Sequence, residues 1–290
     1  MNFKLKINLY KGIVGALIEC ISTLDASADE PTFIAALVTN LPKKLEAILR
    51  NLYPKNNFRV GGCFIHQKPL AEFCDRKLSK KNPEIGDLLI VYKRIQGKME
   101  TYNSLLLQAK KIKVGAGSIY NYKISKEDKH QLLLYTQWPQ FIYRRAGLKL
   151  NGRKRSIIPK TVTPGAQYLL INQDCILPFY CAMPSDILVA HNNFAVQLIN
   201  FIEFQTGRPF VKNVPRDSWS QMIWDLLDIS FHSVFNKSKF GYHNVPRGTD
   251  SIADFLNLTL NHDINYNSEG TGIPVLVLQS IENEDGNNIK

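Results

Sequence analysis

The chain has 290 residues, of which 44% are hydrophobic and 21% are charged, and its formal net charge is +11. This composition is typical of a folded globular protein and excludes an intrinsically disordered chain. No apolar run is long enough to cross a membrane, and the length is sufficient for one large core. The five cysteines form no C-x-x-C pair, which favours reduced thiols in a cytoplasmic protein over a disulfide framework or a zinc site.

The positive charge is concentrated in one part of the chain. Residues 41–160 carry 26 Lys and Arg against 8 Asp and Glu, a net charge of +18. Residues 161–290 carry 7 against 13, a net charge of −6, and residues 1–40 carry 3 against 4. A local basic excess of this kind favours a polyanionic partner, because contacts with phosphates release counterions. A solvated basic surface that keeps the protein soluble is the alternative.

The chain begins with a segment that superficially resembles a secretory signal, in which lysines precede the apolar sequence GIVGALIEC. Glu19 interrupts the apolar run, so we expect an ordinary amphipathic helix. A further helix is predicted to begin near Leu41, with Pro42 in its first turn, where the missing N–H costs nothing.

Strands and helices then alternate. Gly97 and Asn103 lie between two apolar runs and predict a hairpin connection. A basic loop at 111–123 precedes a helix predicted over 125–138, and the pattern after about 195 is mostly helical. The predicted strands occupy residues 59–67, 86–95, 104–110, 166–172 and 186–191. These elements predict one mixed α/β fold.

The hairpin brings chemically active residues to one place. Residues two apart in a strand share a face, so Gln108 and Lys110 project together, and antiparallel pairing places Asp87 close to both. One carboxylate, one amide oxygen and one ammonium group in a small space suit Mg²⁺ or Mn²⁺ with a phosphate as further ligand. A lysine there is able to orient water or offset transition-state charge.

The sequence GDLLIV followed by QAK resembles the PD-(D/E)xK nuclease superfamily, in the variant of Mrr-like restriction enzymes where glutamine replaces the acidic residue. The sequence QLLLY, from Gln131 to Tyr135, is similar to the QxxxY helix motif of RecB-like and Cas4-like nucleases. The resemblance covers roughly residues 41–172. It implies a restriction-endonuclease-like mixed sheet flanked by helices, with a helical segment over 1–40, a nuclease core over 41–195 and a mostly helical extension over 196–290.

The resemblance also implies an activity, a Mg²⁺-dependent deoxyribonuclease with a role in restriction or phage defence. Asp87 and Gln108 are its expected metal ligands, Lys110 completes the catalytic set, and Glu46 or Glu84 supplies the further acidic ligand. DNA is the expected partner, and nothing in the pattern separates DNA from RNA. The expected nucleic-acid-binding residues are Gln131, Tyr135, Arg144, Arg145, Arg153, Lys154 and Arg155.

Two alternatives to a nuclease stay open at this point. Asp87, Gln108 and Lys110 are also compatible with a turn and a solvated strand end, and Gln131 and Tyr135 with helix packing. The protein is then a nucleic-acid-binding module without catalysis. Alternatively, the acidic C-terminal third docks a protein partner or a second copy of the chain.

Overall fold

The computed structural model describes residues 3–25, 27–112, 121–173, 175–212, 217–237, 251–261 and 267–282. The helices are α1 (Phe3–Ile21), α2 (Glu30–Leu52), α3 (Lys129–Gln137), α4 (Gly147–Leu150), α5 (Phe194–Ile202), α6 (Ser218–Lys237) and α7 (Ser251–Asn261). The strands are β1 (Asn56–Gln67), β2 (Leu70–Phe73), β3 (Leu88–Gln96), β4 (Met99–Lys111), β5 (Asn121–Lys123), β6 (Phe141–Arg144), β7 (Lys154–Arg155), β8 (Ala166–Ile171), β9 (Phe179–Ala182), β10 (Ile187–Asn193), β11 (Arg208–Phe210), β12 (Asn267–Thr271) and β13 (Val275–Glu282). The mixed α/β architecture predicted from the sequence is confirmed.

A ten-stranded mixed sheet forms the centre of the molecule. Its order is β12-β1-β13-β3-β4-β8-β9-β10-β5, and β11 pairs with β4. The predicted hairpin is confirmed, because β3 pairs antiparallel along its whole length with residues 99–107 of β4. β8 pairs parallel with β4, and the connection between them contains α3. A small sheet of order β2-β6-β7 packs beside this centre.

Alternate side chains of the hairpin enter two different cores. Leu105, Leu107 and Ala109 of β4 belong to the core shared with α1, α2 and α5. Leu106 belongs to the opposite core, which α3, α6 and α7 cover. Gln108 and Lys110 share the face of Leu106, because side chains alternate along a strand. The candidate site therefore lies on the α3 face of the sheet.

The start of α2 corrects the predicted helix near Leu41. The helix begins eleven residues earlier, at Glu30, and the side chain of Asp29 caps it by accepting a hydrogen bond from the Thr32 N–H at 3.0 Å. Pro42 therefore lies inside the helix, where it offers no N–H to the carbonyl of Val38. The chain of β1 lies against that carbonyl at Gly62, where a Cβ would be 2.0 Å from the oxygen. Only glycine allows this approach.

The C-terminal residues correct the expected helical extension. The helices α5, α6 and α7 lie there, but β13 returns to the middle of the main sheet, antiparallel to β1 and parallel to β3. Residues 275–278 are fully or almost fully buried, so this segment forms part of the central core. Residues 196–290 are thus not an appendage to a core that ends at 195.

The remaining predicted elements agree with the structure to within a few residues, whereas β2, β5, β6, β7, β9 and α4 were not predicted. The predicted helix over 125–138 is α3, and the predicted strands over 59–67, 166–172 and 186–191 are β1, β8 and β10. Most of the predicted basic loop at 111–123 lies outside the described residues. No helix in the described part of the chain has both the length and the apolar character that a membrane span requires.

Candidate active site

The hairpin register places Asp87 against Gln108. Leu88 pairs with Leu107, and the N–H of Asp87 donates to the carbonyl of Leu107 at 2.8 Å. One carboxylate oxygen of Asp87 accepts hydrogen bonds from the side-chain amide of Gln108 and, at 2.7 Å, from the N–H of Ala109. Asp87 and Gln108 are only 5% and 3% exposed. The carboxylate is therefore fixed in a dry environment by the strand that follows it.

Lys68 supplies the countercharge to Asp87. Its ammonium group forms an ion pair with the second carboxylate oxygen of Asp87 and lies 3.2 Å from a carboxylate oxygen of Glu84. Burial alone would lower the pKa of Lys68, but the two carboxylates outweigh it and raise the pKa. The lysine therefore stays charged although it is 7% exposed. Sequence reasoning missed Lys68 because it follows β1 and lies 19 residues before Asp87, outside any motif.

Lys110 is held by a different acid. Its ammonium group lies 3.0 Å from a carboxylate oxygen of Asp128, and the hydroxyl of Ser125 donates to the other oxygen at 2.9 Å. Burial favours the neutral form of Asp128, but the hydrogen bond and charge of Lys110 lower its pKa overall. Lys110 is buried on the same side of the sheet as Gln108. The cation of the QAK motif is thus oriented from the turn before α3.

Glu30 is the acidic residue that α2 brings to this end of the sheet. One of its carboxylate oxygens accepts a hydrogen bond from the N–H of Lys111 at 2.7 Å. Burial raises the pKa of Glu30, the hydrogen bond and the charge of Lys110 oppose that rise, and the charges of Asp87 and Asp128 add to it. These interactions place Glu30 in the same electrostatic environment as the motif residues. Its first-turn position gave no signal in the sequence.

The two acidic residues predicted as further ligands lie differently. Glu46 points to the β1 side of α2, where it accepts from the N–H of Val60 at 2.8 Å and pairs with Arg50 at 3.0 Å. Its carboxylate is used in joining helix to strand. Glu84 does belong to the site, through its contact with Lys68. Glu30 therefore takes the place that the sequence gave to Glu46.

The helix α3 packs on the hairpin through its QxxxY residues. The hydroxyl of Tyr135 donates to the carbonyl of Ile85 at 2.9 Å, and burial raises its pKa well above the ordinary value. A Cβ at Gly86 would lie 2.6 Å from a methyl group of Leu106 and 3.0 Å from the Tyr135 hydroxyl, so glycine is needed before Asp87. Tyr135 is 1% exposed and offers no surface to a nucleic acid, so we correct its predicted role to that of a support.

Three buried polar atoms around this site have no hydrogen-bond partner in the described part of the chain. They are the side-chain oxygens of Gln108 and Gln131 and the hydroxyl of Tyr168. Tyr168 is the neighbour of Gln108 on β8, and the charges of Asp128 and Asp87 act on its phenol. Unpartnered buried polar groups are rare in folded proteins and indicate a missing ligand or water.

Most of the basic residues predicted to bind nucleic acid form ion pairs with carboxylates of the protein itself. Arg144 pairs with Glu72, and Arg145 lies 3.7 Å from Glu84 at the rim of the site.

The two arginines of the 153–155 cluster contact an acid, whereas the lysine between them is exposed. Arg155 makes two hydrogen bonds to Asp225, at 2.7 and 2.9 Å, and Arg153 approaches the same acid at 3.4 Å. Lys154 is exposed. Arg155 therefore joins β7 to α6, and its predicted role in binding is corrected to a structural one.

The formal charges of the cluster do not balance. Four carboxylates face two ammonium groups and one guanidinium group, which leaves a formal charge of −1. The acids are Glu30, Glu84, Asp87 and Asp128, and the cations are Lys68, Lys110 and Arg145. Within the described ranges, no group of three or more His, Cys, Asp or Glu side chains is arranged to hold a metal ion. The oxygen atoms of a type that suits Mg²⁺ or Mn²⁺ are the carboxylate of Asp87, whose two oxygens already accept from Lys68, Gln108 and Ala109, and the unpartnered side-chain oxygen of Gln108.

Comparison of the chain with protein-family models, with curated proteins and with solved structures finds no significant match. The resemblance to PD-(D/E)xK nucleases is carried by the motifs alone.

Proposed function

We propose that the protein is a metal-dependent nuclease that hydrolyses phosphodiester bonds in DNA. The observation that carries the proposal is the convergence of Asp87, Gln108 and Lys110 in one buried cluster of negative formal charge. Buried charge is costly unless it is compensated, so a cluster with a net negative formal charge favours a cation. Retention of an uncompensated cluster is typical of a functional site.

A divalent cation would be held by Asp87 and the Gln108 side-chain oxygen, and Glu30 is the nearby acid best placed to help. The cation would polarise the phosphate and lower the pKa of a bound water. Neutral Gln108 replaces an acidic ligand, which favours one cation over two. The amide oxygen of Gln108 has no partner among the described residues, so cation binding would displace no hydrogen bond made by that oxygen.

The protein's own residues supply orientation and charge. Lys110 is preorganised by Asp128, and its ammonium group would stabilise negative charge on the phosphate in the transition state. The donors on Asp87, from Gln108 and Ala109, keep its carboxylate oriented. Preorganised charge in a dry site is more effective than the same charge in water, because no solvent has to rearrange.

The order of elements agrees with the proposed restriction-endonuclease-like fold. The helix α2, the strands β3 and β4 and the helix α3 follow one another as the motifs require, and β8 then pairs parallel beside β4. The insertion of β13 between β1 and β3 is a departure that the motifs did not indicate. The restriction or defence role belongs to this same proposal.

The test is incubation of purified protein with supercoiled plasmid, linear DNA and RNA, with and without Mg²⁺ or Mn²⁺. We expect metal-dependent cleavage of DNA that Asp87→Asn abolishes, together with loss of Mn²⁺ binding in calorimetry. Asp225→Asn is the matched control, since Asp225 is equally buried but pairs with Arg155. Cleavage by the Asp87 variant at the wild-type rate would reject the proposal.

A nucleic-acid-binding module without catalysis is the second candidate. The ion pair between Lys68 and Asp87 favours it, because the ammonium group already uses one oxygen of the expected metal ligand. This candidate predicts salt-sensitive binding of DNA with no cleavage at any metal concentration. The same set of incubations, followed by filter binding, separates the two.

A further inference from the structure

A groove of about 620 Å³ lies on the outer side of α3. Its walls are the loop between β2 and β3, the helix with the turn that precedes it, and the turn before β10. The lining residues that matter below are Leu78, Lys81, Lys126, Lys129, His130 and Leu133.

The groove opens beside the candidate active site. His130 lines the groove, and partial burial lowers its pKa. The charges of Lys81, Asp128 and Lys110 also act on His130. Lys110 and Asp128 form the ion pair of the candidate site, and Glu127 and Lys129, on either side of Asp128, line the groove, so a ligand in the groove lies next to that pair.

Exposed lysines stand on both walls of the groove. Lys81 lies on the loop, and Lys126 and Lys129 lie on the helix side. None of the three forms an ion pair with another described residue, in contrast to Arg144 and Arg155, which are held by carboxylates. Lysines without a protein partner are available to bind phosphate.

The size and the apolar lining of the groove limit what fits. Its volume is in the range of pockets that hold one small ligand, roughly 300–1,000 Å³. Leu78 is 43% exposed and Leu133 is half-buried, so the groove has an apolar surface. Three lysines and two acids, Glu127 and Asp186, line it as well, which leaves a net positive charge. One nucleotide with its flanking phosphates has this combination of an apolar base face and negative charge.

We propose that the groove binds an unpaired segment of a nucleic-acid strand, with the phosphates on Lys81, Lys126 and Lys129 and a base against Leu78. This inference rests on the proposed function for the choice of a nucleic acid, and it specifies the substrate as one with unpaired nucleotides beside the cleaved bond. It also moves the binding surface from the 153–155 cluster to the two sides of α3.

The test measures binding in EDTA, where cleavage does not interfere. The probes are a short fluorescein-labelled oligothymidylate and a duplex of equal length, and the readout is fluorescence anisotropy across a salt series. The groove variant is Lys126→Gln with Lys129→Gln. The control is Lys4→Gln with Lys98→Gln, which removes the same charge from exposed positions on α1 and the β3–β4 turn.

We expect the single strand to bind more tightly than the duplex. The slope of log affinity against log salt should become shallower by about 1.4 in the groove variant, from about 0.7 per lost phosphate contact on a single strand. The slope should stay unchanged in the control. Leu78→Ser should weaken binding of the single strand without changing the slope.

Equal slopes in the groove variant and the control, or duplex binding as tight as single-strand binding, would overturn the inference. Groove-dependent binding in a protein that never cleaves DNA would remove the nuclease proposal and leave the groove. Metal-dependent cleavage together with binding that does not depend on the groove would remove the groove proposal and leave the nuclease proposal.

Discussion

The β3–β4 hairpin buries a lysine near each of its ends, and the surroundings of the two lysines differ. At the turn end, Lys93 is fully buried and lies 2.7 Å from a carboxylate oxygen of Glu100. Glu100 also accepts from the hydroxyl of Tyr102 and lies 3.1 Å from Lys212. Burial alone would raise the pKa of Glu100, but these three donors lower it to about 2. Each group of this cluster has a partner.

The open end of the hairpin, where Lys110 lies, has the same kind of ion pair but more acidic than basic groups around it. Lys68, Lys110 and Arg145 face four carboxylates, and the Gln108 oxygen lacks a partner among the described residues. A buried ion pair is weak evidence of stability or function when considered alone. Unpartnered buried atoms occur near both ends, since the Nε of Arg94 and the hydroxyl of Thr101 also have no partner among the described residues. The surplus of acid, rather than the buried lysine, therefore distinguishes the candidate site from the structural cluster.

The strongest test of this difference is to remove one lysine from each end. Lys110→Ala should lower single-turnover cleavage by up to about 1000-fold, since a preorganised charge at the reacting phosphate is worth about 4 kcal/mol. DNA affinity measured by filter binding should change little, because Lys110 is one of 36 basic residues. Lys93→Met, checked for folding, should cleave at the wild-type rate. Equal losses in the two variants would remove the distinction.

Metal rescue of stability sharpens the comparison without any activity assay. Lys68→Met should lower the free energy of unfolding in EDTA by about 3 kcal/mol, because it leaves Asp87 without its ion-pair partner. Mn²⁺ should recover more of that loss than it adds to the wild type, since the cation replaces the missing positive charge. Urea denaturation with and without Mn²⁺ measures this. Lys93→Met should be destabilised with no recovery, and recovery there would contradict the assignment of the two ends.

Gly86 tests how closely α3 must approach the open end. Gly86→Ala should lower the free energy of unfolding by about 2 kcal/mol, because the added Cβ meets Leu106 and the Tyr135 hydroxyl. Cleavage should fall as well, since Asp87 is the next residue. Gly15→Ala on α1 is the control, where a Cβ meets nothing within 4 Å and helix propensity predicts a small gain. Thermal denaturation of both variants compares them.

The pH dependence of stability should have opposite signs at the two ends. The pKa of folded Glu100 is about 2, below its ordinary value of 4.5, so its stabilisation is present above pH 4.5 and is lost as the pH falls toward 2. Burial raises the pKa of Glu30, so its charged form penalises the fold increasingly as the pH rises above 4.5.

Glu100→Gln should therefore lose stability relative to the wild type above pH 4.5, by about 1 kcal/mol because its side chain is 35% exposed. Glu30→Gln should gain relative stability as the pH rises over the same range. Urea denaturation at several pH values between 2 and 7 measures both trends. Parallel curves for the two variants would contradict the assigned directions.

Local patterns predicted the hairpin and the shared face of its polar residues. Two apolar runs with Gly97 between them, and the period of two along a strand, were sufficient to place Asp87 beside Gln108 and Lys110 on the same face as Gln108. The acid that contacts Lys110 is Asp128, which these patterns did not indicate. The mixed α/β architecture followed from the alternation of strand and helix patterns.

Long-range packing decided the rest of the site. Lys68 and Glu30 reach it because the end of β1 and the start of α2 lie at the same edge of the sheet, which no local pattern encodes. Glu46 lies on α2, the helix that also carries Glu30, but its carboxylate faces the backbone of β1 at Val60. Arg155 looked like part of a binding cluster because its partner, Asp225, lies 70 residues further along the chain.

The central position of β13 has a consequence for the order of events during synthesis. β1 begins at residue 56 and β13 at residue 275, so 219 residues separate two neighbouring strands of the sheet. At roughly 5–20 residues per second, the ribosome needs about 11–44 s to make that interval. Once β3 has also been made, its edge and the facing edge of β1 have no strand between them until β13 leaves the ribosome. Unpaired strand edges are sites of aggregation, so we expect the nascent chain to be prone to aggregation at this gap.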